Sequence, residues 1–203
     1  MREVLDVGAG TGFLGVYVAM KKGPLKKVVL SDLFLTPLFS SLYNAYANLK
    51  STALSSVRLQ QSNGLEAFVD SDRFDLVVCA PPYLPHLGVP DILSLDAVSG
   101  TYLMHDIIVR SGRLSNSLVM CYSSIAEPEF QSAVREAGKF YTRLYVRRLS
   151  ELAVPFRVPQ ALRNKRYMNA LLSKRGRYME QGPSNSPFRY WHSIRYCMIS
   201  YGT

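Results

Sequence analysis

Apolar positions along the chain follow two different periods in turn. Short continuous apolar runs favour strands buried on both faces, whereas apolar residues three or four positions apart favour helices. The strands predicted in this way are Glu3–Val7, Lys27–Leu30, Val57–Gln60, Phe74–Cys79, Leu118–Tyr122, Phe140–Arg148 and Trp191–Tyr201. The predicted helices are Phe13–Lys22, which ends at Gly23-Pro24, then Leu38–Leu49, Tyr102–Val109 and Glu129–Ala137.

Strands and helices alternate through most of the chain. This alternation predicts an α/β fold with parallel β-α-β units and a doubly wound, mostly parallel sheet. Residues 152–187 interrupt it with four prolines and with a basic helix predicted over Ala161–Tyr178. We therefore expect a single domain over residues 1–203 that carries a basic insertion before its last strand.

The first predicted strand leads into a loop with alternating glycines, Gly8, Gly10 and Gly12, and with Ala9 between the first two. Glycines let the backbone turn sharply and approach a ligand, and the helix that follows offers free N–H groups. The spacing of Gly10, Gly12 and Gly15 also matches a dinucleotide-binding loop. Asp32 ends the second strand, where a carboxylate can accept hydrogen bonds from both hydroxyls of a ribose. These residues predict a nucleotide cofactor, and NAD and S-adenosylmethionine fit them equally well.

The segment Val4–Gly12 resembles the first motif of class I S-adenosylmethionine-dependent methyltransferases, with its Asp-x-Gly-x-Gly-x-Gly core. The resemblance covers residues 1–124 and implies a Rossmann-like sheet of seven strands, the last one antiparallel. It also implies S-adenosylmethionine as the cofactor. By this resemblance Asp6 and the glycine loop hold the methionine end, and Asp32 holds the ribose. Asn63 stands where the family often has an acidic residue near the adenine, so its amide oxygen would serve the adenine amine.

A second motif, Ala80-Pro81-Pro82-Tyr83, follows the fourth predicted strand. Open α/β sheets bind ligands at the carboxyl ends of their strands. Two prolines fix an extended backbone and leave carbonyls that only accept hydrogen bonds, and the tyrosine offers a ring face for stacking. This arrangement suits a planar amine or amide held by its N–H groups. An oxidoreductase that uses NAD would explain the glycines and Asp32 but not this motif.

The same motif resembles the Asn/Asp/Ser-Pro-Pro-Tyr/Phe motif of methyltransferases that act on nitrogen. Those enzymes modify amines of RNA or DNA bases, or a glutamine of protein release factors. By this resemblance Ala80, Pro81, Pro82 and Tyr83 are the catalytic residues. Ala80, however, stands where the family has a hydrogen-bonding side chain, and a methyl group cannot accept a bond from the target amine. A different acceptor, a compensating residue, or a cofactor-binding module with reduced catalysis therefore stays open.

Other features of the composition argue against several classes of protein. The longest apolar runs are far shorter than a membrane span, and a chain that begins with a strand is not expected to carry a signal peptide. Cys79, Cys121 and Cys197 lie far apart in apolar runs, which favours reduced thiols in the cytoplasm. No metal-ligand spacing links the cysteines and histidines, so we expect no metal site.

The net charge of +9 is concentrated in one part of the chain. Residues 135–180 contain 12 basic and 3 acidic residues, whereas the rest of the chain holds equal numbers of each sign. Cations interleaved with Phe156, Tyr167 and Tyr178 are typical of surfaces that bind single-stranded or looped RNA, although a solvated face has the same composition. We expect methyl transfer to a nitrogen of an RNA base, ahead of a protein glutamine or a small molecule. The cations expected to contact RNA are Arg157, Arg163, Lys165, Arg166, Lys174, Arg175 and Arg177.

Overall fold

The computed structural model describes residues 2–22, 25–85, 87 and 95–202, without the side chains of residues 95–100 and 160. The predicted helix end at Gly23-Pro24 lies outside the described residues. The strands are β1 (Glu3–Val7), β2 (Lys27–Asp32), β3 (Val57–Gln61), β4 (Leu76–Cys79), β5 (Ser117–Ser123), β6 (Arg143–Pro155), β7 (Met179–Gln181) and β8 (Tyr190–Gly202). The helices are α1 (Phe13–Lys22), α2 (Leu35–Asn48), α3 (Ser51–Leu54), α4 (Leu95–Arg110), α5 (Glu127–Ala137), α6 (Pro159–Arg163) and α7 (Lys165–Arg175).

One sheet contains all the strands of the described residues. Seven of them form the row β3-β2-β1-β4-β5-β8-β6, and β7 pairs with the start of β8. The row is parallel from β3 to β5, and β8 is antiparallel to both of its neighbours in it. The predicted α/β fold with a mostly parallel sheet and an antiparallel last strand is confirmed. The sheet has one strand more than the seven implied by the resemblance, because the insertion adds β7 where β8 extends beyond β5.

The core lies on both faces of the central strands. All four residues of β4 are buried, as the continuous apolar run requires. Helices α4 and α5 pack on one face in the first apolar cluster, and α1 and α2 pack on the other face in the second. Because β1 to β4 are parallel, the loops that follow them meet at the same edge of the sheet. The glycine loop, Asp32, Asn63 and the Pro-Pro-Tyr motif all lie in these loops or directly at the strand ends.

Several predicted elements differ in extent from the observed ones, among them β6 and the basic helix of the insertion. The edge strand β6 begins and ends later than the predicted Phe140–Arg148, because it pairs with β8 along its whole length. The basic helix predicted over Ala161–Tyr178 is divided into α6 and α7. The reason is a helix cap, since the side chain of Asn164 accepts the N–H of Tyr167 at 3.0 Å and starts a new helix there.

The basic insertion, residues 152–187, packs against the side of the sheet where the parallel strands have their carboxyl ends. Phe156, Tyr167 and Leu171 are at most 1% exposed and form an apolar cluster with Leu84 of the loop after β4. The loop that carries the Pro-Pro-Tyr motif therefore has the insertion as its direct neighbour.

Within the described ranges, no helix is both long and apolar enough to cross a membrane. The same residues contain no group of three or more histidine, cysteine, aspartate or glutamate side chains placed to hold a metal ion. Cys79, Cys121 and Cys197 are free thiols, and the first and last of them are buried.

Candidate active site

The loop after β1 turns on three glycines. Gly8, Gly10 and Gly12 have φ angles of 66°, 54° and 78°, in a region that disfavours residues with a Cβ atom. A Cβ atom at Gly12 would lie 2.7 Å from the Cβ atom of Ser41 in α2. At Gly10 it would meet no described atom within 4 Å. Gly12 therefore permits close packing of α2, and Gly10 leaves open space for a ligand.

Asp6 lies beneath this loop. Its side chain is buried, and one carboxylate oxygen accepts the N–H of Gly15 in α1 at 2.7 Å. Burial raises the pKa of Asp6 to about 7, the bond from Gly15 opposes that change, and the charge of Asp32 adds to it. The N–H of Ala9 donates to the carbonyl of Ser31 at 2.8 Å. These two bonds fix the glycine loop to β1, β2 and α1.

The carboxylate of Asp32 stabilises the glycine loop through a hydrogen bond. One of its oxygens accepts the N–H of Gly10 at 2.9 Å, and the other accepts the N–H of Phe34 at 3.0 Å. Each carboxylate oxygen has a second lone pair, so Asp32 retains acceptor capacity for the two hydroxyls of a ribose. The N-cap position of α2 is occupied by Phe34, so Asp32 is not the capping residue of that helix.

A cavity of 480 Å³ brings the two sequence motifs together. Val158 of the insertion contributes to its lining, so the insertion reaches this space. Asp6, Ala9 and Gly12 are not among the lining residues, and they act here through the shape of the loop. The predicted site residues that line the cavity are Gly8, Gly10, Asp32, Asn63, Ala80, Pro81, Pro82 and Tyr83.

Asn63 follows β3, and its amide nitrogen donates to Glu66 at 3.0 Å, which orients the side chain. The next residue, Gly64, has a φ of 56°, and a Cβ atom there would lie 2.9 Å from a carboxylate oxygen of Asp106 in α4. The backbone of this loop is therefore held close to α4. Further lining residues were not predicted from the sequence: Leu33, Phe34, Pro37, Ser62, Gly64, Leu84, Tyr102, Leu103 and Val158.

The Pro-Pro-Tyr motif packs on a histidine that the sequence did not indicate. The ring centroids of Tyr83 and His192 are 5.3 Å apart. His192 is buried in β8, and its Nδ1 lies 2.6 Å from the hydroxyl oxygen of Ser123 at the end of β5. Burial lowers the pKa of His192 to about 4, so the imidazole is neutral at physiological pH. Ala80, by contrast, is exposed at the end of β4.

The cations predicted to bind RNA are in two kinds of environment. Arg175 pairs with Glu129 of α5 at 2.5 Å, and Lys174 donates to the carbonyl of Leu87 at 3.1 Å. Both side chains therefore hold the insertion against the rest of the fold. All of the seven cations except Arg175 are exposed: Arg157, Arg163, Lys165, Arg166, Lys174 and Arg177.

Comparison with known proteins shows that the chain is similar to methyltransferases. Residues 1–94 match the model of the methyltransferase small domain. Over 95 residues the chain is 30% identical to the release factor glutamine methyltransferase of Aliivibrio fischeri (strain ATCC 700601 / ES114), a match that covers 45% of this chain and 32% of that protein. M. capricolum TrmK, solved with S-adenosyl-homocysteine, aligns with all of this chain and 64% of its own at a TM-score of 0.54 and 12% identity. The chain therefore has the fold of class I methyltransferases. The YcgJ protein of Bacillus subtilis has the same fold, with a TM-score of 0.58 at 11% identity over 100% of this chain and 92% of that one.

The cofactor of class I methyltransferases is S-adenosylmethionine, and the residues of this cavity fit it. The glycine loop leaves open space at Gly10, and Asp32 stands beside it with acceptor capacity for a ribose. The cavity extends from there to the Ala80–Tyr83 motif. The chain spans about a third of the length of the release factor enzyme that it matches.

Proposed function

We propose that this chain transfers a methyl group from S-adenosylmethionine to a nitrogen of an RNA base. The observation that carries the proposal is the shared cavity, in which Asp32, the Ala80–Tyr83 motif and Val158 of the basic insertion all take part in the lining. The residues predicted for the cofactor and for the acceptor therefore face one space. The part of the chain that holds the net positive charge adjoins the same space.

The surface of the insertion supports an RNA acceptor. Arg157, next to Val158, lies 4.2 Å above the ring of Phe188, and Arg177 lies 4.7 Å above the ring of Tyr178. A guanidinium stacked on an aromatic ring combines a flat surface for bases with a charge for phosphates. Three more exposed cations lie on α6 and α7: Arg163, Lys165 and Arg166.

In the proposed reaction the main role of the protein is to position the acceptor nitrogen next to the methyl group. Bound S-adenosylmethionine supplies a methyl group made electrophilic by its positively charged sulfur. The lone pair of the acceptor nitrogen would form the new bond to the methyl group, the electrons of the broken C–S bond would leave with the cofactor product, and one proton would pass from the nitrogen to solvent. Tyr83 offers a ring face to the base, and the carbonyl of Pro81 is an acceptor for an N–H of the target amine. Alignment of this kind accounts for a large part of the rate of many enzymes.

The proposal is tested by comparing two acceptors. Purified protein is incubated with S-adenosylmethionine that carries a labelled methyl group, together with either total RNA or a protein lysate. We expect the label in RNA, on a base nitrogen after nuclease digestion, and only background label in protein. Label in protein without label in RNA would reject the RNA acceptor.

A glutamine acceptor is the second candidate. It is favoured by the 30% identity to a release factor glutamine methyltransferase over 95 residues. The Leu84-Pro85 continuation of the Pro-Pro-Tyr motif also resembles those enzymes. The family model ends at residue 94, however, so the basic insertion lies outside it. A cofactor-binding module with reduced catalysis is the third candidate, and Ala80 is the residue that favours it.

Replacing Ala80 with asparagine should raise methyl transfer to RNA. Ala80 is exposed and lines the cavity, so an amide side chain there can reach the acceptor without entering the core. One added hydrogen bond contributes about 0.5–1.5 kcal/mol, which corresponds to a rate about 2- to 13-fold higher. Tyr83→Ala should lower the rate about 5- to 160-fold, because stacking of a base on an aromatic ring contributes about 1–3 kcal/mol. Initial rates with total RNA measure both effects.

Tyr145→Ala is the matched control, because this tyrosine is 66% exposed on the edge strand β6 and does not line the cavity. Its methyl-transfer rate should equal that of the wild type, and all three variants should bind S-adenosylhomocysteine as the wild type does. A lower rate with asparagine at position 80 would mean that the pocket is shaped for another group, and the amine mechanism would be abandoned.

A further inference from the structure

Helix α7 of the insertion holds the loop that continues from the Pro-Pro-Tyr motif. The hydroxyl of Tyr167 donates to the carbonyl of Pro85 at 3.0 Å. Lys174, seven positions later on the same helix, donates to the carbonyl of Leu87 at 3.1 Å. Residues seven apart lie on one face of a helix. One helix face therefore binds two carbonyl groups of one loop, just beyond Tyr83.

The bond from Tyr167 is made in an apolar, closed environment. Tyr167 is 1% exposed and belongs to the cluster that contains Phe156, Leu171 and Leu84. Burial raises the pKa of its hydroxyl above the ordinary value, so the group stays neutral and donates. A buried hydroxyl of this kind needs an acceptor, and here it is the carbonyl of Pro85. Proline fixes its own φ angle, so a bond to this carbonyl restrains the direction of the loop.

The insertion also packs against Tyr83 indirectly, because Phe156 contacts the histidine that contacts this tyrosine. Phe156 packs edge-on against His192 with ring centroids 5.6 Å apart, and His192 packs against Tyr83 at 5.3 Å. Val158, two residues after Phe156, lines the cavity itself. The same segment thus forms part of the cavity wall, backs the tyrosine, and restrains the loop that follows it.

We propose that Tyr167 is a positioning residue for methyl transfer, acting through the carbonyl of Pro85 on the loop that presents Tyr83 to the acceptor. The inference rests on the proposed function for the class of acceptor. The bond itself acts on the loop whatever the acceptor is. Loss of the hydroxyl leaves the cofactor residues and the exposed cations in place, but it removes the restraint that aligns the acceptor. The effect therefore falls on kcat and not on the KM for S-adenosylmethionine.

Tyr167→Phe tests the proposal, because it removes only the hydroxyl and keeps the buried ring. With total RNA and labelled S-adenosylmethionine, we expect kcat to fall about tenfold or more, with the KM for S-adenosylmethionine within about twofold of wild type. Hydrogen–deuterium exchange of the peptide Cys79–Leu87 should become faster. Tyr141→Phe is the matched control, since its hydroxyl donates to a backbone carbonyl, that of Val109, at the same 3.0 Å. It should lose comparable thermal stability without a change in kcat or in exchange of that peptide.

Lys174→Met removes the second restraint and gives an independent variant with the same expected direction in the exchange measurement. Wild-type kcat and wild-type exchange in Tyr167→Phe would overturn the proposal, as would equal effects in Tyr141→Phe. If the wild type transfers no methyl group to RNA, the proposed acceptor fails, and the exchange comparison still decides the role of Tyr167. Faster exchange of Cys79–Leu87 in the Tyr167 variant alone then supports the restraint, and unchanged exchange rejects it.

Discussion

Asp32→Ala is expected to weaken binding of S-adenosylhomocysteine by about 1.5–3 kcal/mol, or roughly 13- to 160-fold in Kd. That is the range for hydrogen bonds to a charged group, here the two ribose hydroxyls on the carboxylate. The structure adds a second cause in the same direction. The carboxylate also accepts the N–H of Gly10, so its loss releases the loop that faces the ligand. Calorimetric titration of wild type and variant measures the change.

Asp75→Ala is the matched control for this substitution. Asp75 also accepts two backbone N–H groups, those of Arg2 and Glu3, but it precedes β4 and lies at the opposite edge of the sheet. This variant should bind S-adenosylhomocysteine with wild-type affinity. The same titration with NAD tests the identity of the cofactor, since a wild-type preference for NAD would contradict S-adenosylmethionine. Unchanged affinity in Asp32→Ala would mean that another residue holds the ribose.

The sequence predicted those parts of the fold whose signal is local. Strand β1 and helix α1 have the predicted bounds, because a buried parallel strand is apolar throughout and α1 follows a glycine turn directly. Strand β6 was misplaced because nearly all of its residues are exposed, so its extent depends on pairing with β8 and not on its own pattern. Strand β7, with the sequence Met-Glu-Gln, carries no strand pattern at all. Its pairing with β8 exists only once the insertion is folded.

In the candidate site, too, the sequence predicted only those residues whose signal is local. Asp32 and the Pro-Pro-Tyr motif were found because each directly follows a parallel strand, and such positions meet at one edge of the sheet. His192 and Val158 lie more than 70 residues further along the chain than Tyr83, so only the tertiary fold brings them together. A count of charges also treats all cations alike. It could not show that, within the described part of the chain, Lys174 donates a hydrogen bond to a loop carbonyl, unlike Arg163 and Lys165.

Removing three cations of the insertion together is expected to have the largest effect on RNA binding. Arg163, Lys165 and Arg166 are exposed on neighbouring turns of α6 and α7. For single strands, each phosphate contact contributes about −0.7 to the slope of log K against log salt, so the triple alanine variant should have a slope flatter by about two units. At about 0.1 M salt this corresponds to roughly hundredfold weaker binding. Filter binding of a labelled single-stranded RNA of mixed sequence, at several salt concentrations, measures both quantities.

The matched control removes the same charge from the other side of the fold. Lys21 and Lys22 end α1, and Lys50 follows α2, so all three lie near the edge of the sheet opposite to the cavity. They are exposed, and their triple alanine variant should keep the wild-type salt slope. Both variants should bind S-adenosylhomocysteine normally, because neither set lines the cavity. An unchanged slope in the insertion variant, or an equal change in both variants, would mean that the cations of the insertion form only a solvated face. The glutamine acceptor would then become the leading proposal, because a protein substrate is recognised more by the shape of its loop than by so many cations.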